Sequence, residues 1–367
     1  MSKLSQDFSD LDQVWMQRAI ELARLGQYST KPNPNVGCVI VNHGQKVGEG
    51  FHPRAGQPHA EVFALRQAGE LAQGATAYVT LEPCAHYGRT PPCAKGLVNA
   101  GIKRVIVACP DPNPLVAGKG VSILREAGID VQVGCCEPQA HQLNEGFLKA
   151  MATGMPYLRL KIASSLDGRT AMASGESKWI TGPEARQDVQ HWRAISGVVI
   201  TGINTVLADD CQLNVRQLIG VDDLSDVVQP KRLILDRQGR LPLQAKILQQ
   251  PETVMVMGPY RQALADLGVT QLAIQDLSDL CRCLVQDFQI YDVMIEAGAT
   301  LSTVFLQEKL VDEVISYVAP TFLGQSASAM FHAKFNHMAE QLRFKLIDVT
   351  PLGEDIRLRL KPSQETV

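Results

Sequence analysis

The sequence predicts an α/β protein built from two domains. The chain has 367 residues, whereas single domains cluster at about 100 to 200. Apolar runs rich in β-branched residues alternate with stretches of helical periodicity, which is typical of sheets covered by helices. This alternation is interrupted between residues 134 and 156 by a helical connector and a Gly-Met-Pro turn. We therefore predict one domain over residues 1–153 and a second over residues 154–367.

The first domain is predicted to be a layered α/β/α structure that starts with a helix. Apolar residues recur at helical spacing from Leu11 to Leu25, and Gly26 supplies a stop. An apolar strand at 36–41, a turn at 42–45 and a following strand predict a hairpin. The remaining predicted elements are a helix over about 59–68, a strand at 76–81, a helix from about Cys93, a strand at 104–109, a helix ending near Gly128 and a strand at 129–133.

The second domain is predicted to be another α/β sheet with helices between several of its strands. Its last two strands flank Gly353 and alternate apolar with polar residues, as terminal antiparallel pairs do. The predicted strands cover residues 157–163, 198–201, 232–236, 253–257, 291–296, 313–319, 344–350 and 355–360.

Composition limits the function classes. Hydrophobic residues make up 45% of the chain, charged residues 20%, and the net charge is -3, as in an ordinary globular protein. The acidic balance argues against a broad nucleic-acid-binding face. We find neither a secretion signal nor an apolar run near the ~18 residues of a membrane span, and so expect a cytoplasmic protein without membrane contact. Its nine cysteines are then reduced and serve as core residues, metal ligands or nucleophiles.

One constellation in the first domain predicts a catalytic zinc site. His59 stands at the start of a predicted helix, Cys84 follows a predicted strand, and Cys93 comes nine positions later. One imidazole and two thiolates suit zinc and leave its fourth position for water. Glu61 need not bind the metal, and can move protons between that water and the substrate. This order of residues is the signature of zinc nucleobase deaminases.

Two other interpretations of these residues stay open. Each of them alone is more often a core or surface residue than a ligand. A structural zinc would need a fourth protein ligand, for which His86 is the nearest candidate, but its closeness to Cys84 would force a tight loop.

Three segments of the first domain resemble the riboflavin-pathway deaminases. They are the loop at 85–92 between the two cysteines, the Asn-Pro-Asn-Val-Gly stretch at 33–37, and residues 111–118. The resemblance implies a cytidine-deaminase-like fold. It also implies further substrate-binding residues: Asn33 and His52 at the base, His86 and Arg89 toward the ribose phosphate, and Asp111 and Asn113 shaping the pocket.

The second domain carries no G-x-G-x-x-G after a predicted strand, so a standard dinucleotide-binding unit is not predicted. Residues 161–169 instead resemble the opening of the riboflavin-pathway reductases, whose fold is like that of dihydrofolate reductase. The resemblance continues through residues 177–181, Arg193, residues 201–206 and 209–210, Leu213 and Arg216.

A reductase of this kind implies a set of site residues. Arg193 and Arg216 are suited to bidentate phosphate contacts, with Ser177 as a third substrate-binding candidate and Glu296 reaching the substrate. Lys161 and Asp167 are candidates for the proton source, although a solvated strand residue and a simple turn are the plainer interpretations. The cofactor is expected near Ala163, Trp179, Thr205, Asp209, Leu213 and the turn Gly298, Ala299 and Thr300, where Ala297 replaces a second glycine of the usual motif.

The two patterns occur in the order found in bifunctional riboflavin-pathway enzymes. That resemblance implies Zn²⁺-dependent deamination of 2,5-diamino-6-(5-phosphoribosylamino)pyrimidin-4-one to the matching uracil, followed by NADPH-dependent reduction of its ribose to ribitol. The partner is then a small molecule, and a homo-oligomer is the usual state for such enzymes. The alternatives are a nucleic-acid base deaminase with an appended domain, which 5% aromatic content and negative charge disfavour, and a zinc-stabilised scaffold.

Overall fold

The computed structural model describes residues 8–85, 92–114 and 116–363. It divides into two compact units, Met1–Gly154 and Met155–Val367. The sequence placed the domain boundary one residue earlier, between residues 153 and 154. No helix in the described part of the chain is long and apolar enough to cross a membrane.

The first unit is built on a five-stranded sheet with the order β2-β1-β3-β4-β5. The predicted hairpin is confirmed, since β1 and β2 are antiparallel neighbours, whereas β3, β4 and β5 run parallel. Its strands are β1 (Gly37–Asn42), β2 (Gln45–Phe51), β3 (Thr76–Leu81), β4 (Arg104–Cys109) and β5 (Asp130–Val133). Its α-helices are α1 (Asp10–Arg24), α2 (Ala60–Ala68), α3 (Cys93–Asn99), α4 (Lys119–Glu126), α5 (Glu137–Leu143) and α6 (Glu145–Thr153).

The alternation of side chains along the strands produces the three layers. In β1, Cys38 and Ile40 pack with α2, α3 and α4, whereas Val39 and Val41 pack with α1, α5 and α6. A capping box at Ser9 fixes the start of α1. Both faces of the sheet are therefore covered, as the sequence predicted.

Short side chains bring two helices close to the sheet. Gly37 of β1 lies against α1, where an added Cβ would come within 1.9 Å of the Ala19 carbonyl oxygen. Gly50 of β2 lies against α2, where a Cβ would meet the Ala60 carbonyl oxygen at 2.7 Å. The close approach of α2 matters for function, because this helix starts beside the predicted metal ligand His59.

The second unit is built on a nine-stranded sheet with the order β11-β10-β9-β8-β12-β6-β13-β16-β15. The strands from β11 to β13 in that order pair in parallel, and the terminal pair β15 and β16 is antiparallel, as predicted. Its strands are β6 (Tyr157–Ser165), β7 (Arg169–Ala171), β8 (Val198–Gly202), β9 (Lys231–Leu235), β10 (Val254–Met257), β11 (Thr270–Leu272), β12 (Asp292–Glu296), β13 (Glu313–Ala319), β14 (Ser328–Ala329), β15 (Phe344–Leu352) and β16 (Asp355–Pro362). Its α-helices are α7 (Pro183–Ile195), α8 (Ile203–Asp209), α9 (Gln262–Asp266), α10 (Leu277–Gln286) and α11 (Ala299–Gln307).

Three short strands of the second unit were not predicted. β7 and β14 form a separate two-stranded sheet, and β11 is the three-residue edge of the large sheet. A period of two cannot be recognised in so few residues. The large sheet buries apolar side chains on both faces and leaves the carboxyl ends of β6, β12, β8 and β9 side by side at one edge.

We expect Gly37→Ala to destabilise the first unit, because the new methyl group would clash with the backbone of α1. The cost should be about 2 kcal/mol or more in the free energy of unfolding, as for other overpacked sites. Gly96→Ala in the half-buried helix α3 is the matched control, since its Cβ would make only an ordinary 3.7 Å contact with Leu65. Urea denaturation monitored by circular dichroism measures both, and equal stability of the two variants would contradict the packing described.

Two candidate active sites

The first unit brings the three predicted metal ligands together. His59 is the N-cap of α2, Cys84 follows the end of β3, and Cys93 is the first residue of α3. The Nδ1 atom of His59 lies 3.6 Å from Sγ of Cys84 and 3.3 Å from Sγ of Cys93. All three ligand atoms lie within 4.8 Å of one another, which is the spacing that one small metal ion requires.

The environment of Cys84 favours its thiolate form. The backbone N–H of Cys93 donates a hydrogen bond to the Cys84 sulfur at 3.2 Å. Hydrogen bonds with the Cys93 thiol and the His59 imidazole lower the pKa of Cys84 below its ordinary value, against the effect of burial. A thiolate is the form of cysteine that binds metals, so the residues fit a zinc ion.

Glu61 lies beside the three ligands, in an environment that favours proton transfer. Its side chain is 3% exposed, and its Oε2 atom has no hydrogen-bond partner among the described residues. Burial raises the pKa of Glu61 above its ordinary value and outweighs the attraction of His59. A buried carboxylate with a raised pKa is suited to accept a proton from an attacking water and to return it.

Asn33 and His52 form a fixed pair next to the ligands. The His52 ring donates from Nδ1 to the Pro58 carbonyl oxygen at 3.1 Å, because a carbonyl can only accept. Its Nε2 atom is therefore the acceptor for the Asn33 amide at 3.0 Å. Burial lowers the pKa of His52 and so favours the neutral ring that these two contacts require. The pairing fixes the orientation of the Asn33 amide.

Glu82 is a site residue that the sequence analysis did not single out. This buried carboxylate accepts backbone N–H groups from Gly118 and Val121 at 3.1 Å each, and from Asp111 at 3.4 Å. These hydrogen bonds hold the segment that contains Asp111 and Asn113 next to the end of β3. The Asp111 carboxylate in turn accepts the N–H of Asn113 at 2.8 Å. Its position directly before the Pro-Cys pair is the signal that could have identified it.

His86 and Arg89 lie outside the described residues, so their predicted contacts with the ribose phosphate remain predictions.

The second unit has a cleft of about 770 Å³ at the carboxyl edge of its large sheet. It is lined by all of the predicted reductase residues except Asp167 and Thr300: Lys161, Ala163, Ser177, Trp179, Arg193, Thr205, Asp209, Leu213, Arg216, Glu296, Gly298 and Ala299. The family pattern identified in the sequence thus corresponds to one continuous surface.

A buried carboxylate with two cationic neighbours lies in this cleft. Glu296 is the last residue of β12. Its carboxylate accepts a bidentate hydrogen bond from Arg193, with distances of 2.5 Å from Nε and 3.0 Å from Nη2. The ammonium of Lys161, directly across the strand pair on β6, lies 3.7 Å from the same carboxylate. Burial alone would raise the pKa of Glu296, but Arg193 and Lys161 together hold it below its ordinary value. Burial lowers the pKa of Lys161.

These contacts give different roles to the two arginines that were predicted to bind phosphate. All three guanidinium nitrogens of Arg193 are engaged in hydrogen bonds. Nε and Nη2 donate to the Glu296 carboxylate, and Nη1 donates to the Asn214 carbonyl oxygen at 3.3 Å. Arg216 is exposed, and its guanidinium has no hydrogen bond or ion pair among the residues that the structure describes. The geometry therefore favours Arg216 as the phosphate ligand and Arg193 as a group that holds Glu296.

Asp167 lies outside the cleft lining, in the turn after β6. Its carboxylate accepts Ser165 Oγ at 2.5 Å and the N–H groups of Leu323 and Gly324 at 3.1 and 2.8 Å. The Ser165 hydrogen bond is the main cause that lowers the pKa of Asp167 to about 2. An ionised group with these partners is a poor proton donor, so the geometry favours a structural role for Asp167.

The cleft also presents an aromatic face and a helix start. Trp179 is 71% exposed, and the Arg186 guanidinium stacks on its ring at 4.2 Å. Gly298 is the N-cap of α11, whose first N–H groups have no partner within the helix. The Thr300 hydroxyl lies 3.3 Å from Nδ1 of His332, which lines the cleft, although Thr300 itself is not part of the lining. An open apolar ring and free N–H groups fit a dinucleotide with a pyrophosphate.

Two family models match the chain. The cytidine and deoxycytidylate deaminase zinc-binding region matches residues 9–109, and the RibD C-terminal domain matches residues 156–358. The chain is 48% identical to the riboflavin biosynthesis protein RibD of Haemophilus influenzae, over 97% of this chain and 99% of that protein. The chain belongs to the RibD family. RibD of Escherichia coli is also 48% identical, over 95% of this chain and 99% of that protein.

Solved structures of RibD proteins have the same fold. The structure of Acinetobacter baumannii RibD matches with a TM-score of 0.94 and 75% identity, covering 96% of this chain and 99% of that one. A protein of Thermotoga maritima named as a diaminohydroxyphosphoribosylaminopyrimidine deaminase and 5-amino-6-(5-phosphoribosylamino)uracil reductase matches with a TM-score of 0.86 and 33% identity, over 96% of this chain and 99% of that one.

The RibD assignment confirms the predicted class of the chain. A cytidine-deaminase-like domain precedes a RibD reductase domain, and the protein is a bifunctional enzyme of riboflavin biosynthesis, a deaminase and a reductase. Zn²⁺ and NADPH are the cofactors that these two domains use, and the residues described above fit both. The substrate is a small phosphoribosyl pyrimidine.

Replacement of a metal ligand should remove zinc. We expect Cys93→Ser to lower the metal content from about one zinc per chain to a small fraction of that, because catalytic zinc has only three protein ligands to lose. Cys283→Ser on α10, outside the His59, Cys84 and Cys93 group, should retain the metal. Inductively coupled plasma mass spectrometry of the purified variants measures the content. Full zinc occupancy in Cys93→Ser would rule out the proposed ligand set.

Proposed function

We propose that the first site hydrolyses the 2-amino group of 2,5-diamino-6-(5-phosphoribosylamino)pyrimidin-4-one, with His59, Cys84 and Cys93 as zinc ligands. Zinc supplies the Lewis acidity that activates water for attack on an aromatic carbon. Water adds to C2 of the pyrimidine, and the 2-amino group leaves as ammonia. The observation that carries this proposal is the convergence of the three ligand atoms within 4.8 Å beside a buried carboxylate oxygen that has no partner among the described residues.

Glu61 is the proton carrier in this proposal. It accepts a proton from the attacking water and delivers it to the ring nitrogen next to C2. The same carboxylate then takes the remaining proton from the hydroxyl group added at C2 and gives it to the leaving amine, so that C2 becomes a carbonyl carbon. The raised pKa of Glu61, caused by burial, brings it closer to the neutral pH at which both transfers must occur.

The base is held by Asn33 in this proposal. The neutral His52 ring fixes the amide orientation through its 3.0 Å contact, so the amide oxygen is directed away from the ring and is available to the pyrimidine. Asp111 and Asn113, fastened by Glu82, close the same pocket. Fixed polar groups of this kind select one base by its hydrogen-bonding pattern.

The second site reduces the ribosyl group of 5-amino-6-(5-phosphoribosylamino)uracil to ribityl. NADPH supplies the hydride that C1′ receives. Lys161 donates the proton that opening of the ribose ring requires, and the neighbouring Glu296 orients its ammonium and contacts the sugar hydroxyls. The pKa of Lys161, lowered by burial, makes its ammonium a stronger acid than an exposed lysine.

Arg216 binds the phosphate of the ribotide in this account, whereas Arg193 keeps Glu296 ionised and oriented. Ser177 supports the substrate end of the cleft through its contact with Asp209, where Oγ and Oδ1 are 3.4 Å apart.

The proposed setting is a homo-oligomer in the cytoplasm that acts on no nucleic acid and no membrane. None of the nine cysteines, all of which the structure describes, forms a disulfide, which agrees with a reducing compartment. The net charge of -3 offers no general attraction for nucleic acid.

The two activities should be separable by single substitutions. We expect Glu61→Gln to lower the deamination rate by at least about a hundredfold, because the amide cannot carry the proton. The same variant should oxidise NADPH at the wild-type rate when supplied with the aminouracil ribotide. Lys161→Met should show the reverse pattern. Ammonia release and absorbance at the NADPH band measure the two reactions, and parallel loss of both activities in either variant would refute two independent sites.

Arg216→Ala should weaken the binding of phosphorylated substrate. The loss of a charge-assisted contact predicts a rise in KM of about 10- to 100-fold, with kcat changed little. The dephosphorylated aminouracil riboside is the control substrate, since wild type and variant should use it equally poorly. If Arg216→Ala also impaired the riboside, or left the ribotide KM unchanged, the phosphate would lie elsewhere.

A further inference from the structure

The position of Asn33 depends on the contacts of the loop that carries it. This loop connects α1 to β1. The His52 contact fixes the rotation of the Asn33 amide, but it does not fix the backbone of the loop. Within the loop, the N–H of Asn33 donates to the Thr30 carbonyl oxygen at 2.9 Å, and the Thr30 hydroxyl donates to Oδ1 of Asn35 at 2.8 Å. The place of Asn33 is therefore tied to the place of Asn35.

The side chain of Asn144 binds the backbone of Asn35 at two points. Oδ1 of Asn144 accepts the Asn35 N–H at 2.7 Å, and Nδ2 of Asn144 donates to the Asn35 carbonyl oxygen at 2.9 Å. One amide thus pairs with both backbone groups of a residue, as a neighbouring strand would. A third hydrogen bond joins Nδ2 of Asn35 to the Leu143 carbonyl oxygen at 3.0 Å. These three bonds form the Asn35–Asn144 pairing.

Asn144 is itself a buried and well-fixed residue. It lies between α5 and α6, where its N–H donates to the His141 carbonyl oxygen at 3.1 Å and its carbonyl oxygen accepts the Leu148 N–H at 2.9 Å. The residue is only 5% exposed. Its side chain has little freedom to move, because any lost hydrogen bond would leave a buried polar group unsatisfied.

Apolar packing holds the two helices around Asn144 independently of its amide. Ala140 of α5 and Leu148 of α6 pack with Ile20 and Ile106 in the core of the first unit. Removal of the amide should therefore leave both helices in place and release only the loop. The effect of such a change is expected at the base-binding end of the deaminase site and not at the metal.

A released loop would misplace the Asn33 amide, since Asn33 is two residues from Asn35. Hydrogen bonds weaken steeply with distance and angle, so a small displacement is enough to lose the contact with a base. The connector at residues 134–156, which the sequence analysis treated only as a domain boundary, thus reaches the deaminase site through the Asn35–Asn144 pairing.

We propose that Asn144 is a positioning residue of the deaminase: it holds the backbone of Asn35 and thereby places the Asn33 amide against the pyrimidine. This inference rests on the proposed role of Asn33 in binding the base. Asn144 acts from outside the site, through the backbone of the loop.

The test measures deamination of the diaminopyrimidinone ribotide by the full-length protein. The variants are Asn144→Ala, Asn33→Ala, the double variant and the matched control Gln142→Ala, an exposed residue of α5. Ammonia release yields kcat and KM for each variant. Zinc content, measured by inductively coupled plasma mass spectrometry, reports separately on the metal site.

Asn144→Ala should raise the KM about 5- to 20-fold with kcat changed less than about threefold, because the base contact is made before and during the reaction alike. Its zinc content should stay at about one per chain, and Gln142→Ala should behave as wild type. In the double variant, kcat/KM should lie within about threefold of Asn33→Ala alone, since no amide remains to be positioned.

Asn35→Ala is a milder variant that keeps the two backbone contacts of Asn144 and removes the bond to Leu143. It should raise the KM in the same way but by a smaller factor. If Asn144→Ala did not fold, an unchanged KM in Asn35→Ala would overturn the inference.

Three other results would overturn the inference alone. They are an unchanged KM in Asn144→Ala, a loss of zinc together with a fall in kcat, which would make the role of Asn144 merely structural, and losses that multiply in the double variant. Failure of the proposed base contact has a different signature, because Asn33→Ala would then leave the KM unchanged, and the inference would fall with it.

Discussion

The parallel pairing of strands determines where the chemistry of each unit lies. Parallel neighbours end at the same edge of a sheet, so residues at their carboxyl ends meet in space although they are far apart in sequence. In the second unit this brings Lys161 of β6 next to Glu296 of β12. In the first unit, Cys84 and the Asp111 segment follow the parallel neighbours β3 and β4. A register shift of one residue would turn Lys161 or Glu296 to the opposite face of the sheet.

Two buried glutamates illustrate how environment assigns different roles to one residue type. One oxygen of Glu61 has no partner in the part of the chain that the structure describes, and burial raises the pKa of this group, which suits a carboxylate that must gain and lose a proton. Glu296 accepts a bidentate hydrogen bond from Arg193 and lies near Lys161, so its pKa is lowered in spite of burial. The first is suited to proton transfer, and the second is a fixed anion that orients its neighbours.

The sequence predicted most of the fold because long strands and helices have a readable period. It also predicted His59, Cys84 and Cys93, since zinc chemistry requires these residue types. The pairing of Arg193 with Glu296 could not be predicted from residues alone, because the two lie 103 positions apart and only the sheet brings them together. The same reason hid the partners of Glu82, which are backbone N–H groups between 29 and 39 positions away.

The central claim is that one chain carries out deamination and then reduction on the same pyrimidine. The most direct measurement starts from the diaminopyrimidinone ribotide with NADPH present and follows ammonia release and NADPH oxidation together in time. The account predicts that NADPH oxidation lags behind ammonia release and that both reach the same final amount. NADPH oxidation that proceeds without ammonia release would contradict the proposed order of the two reactions.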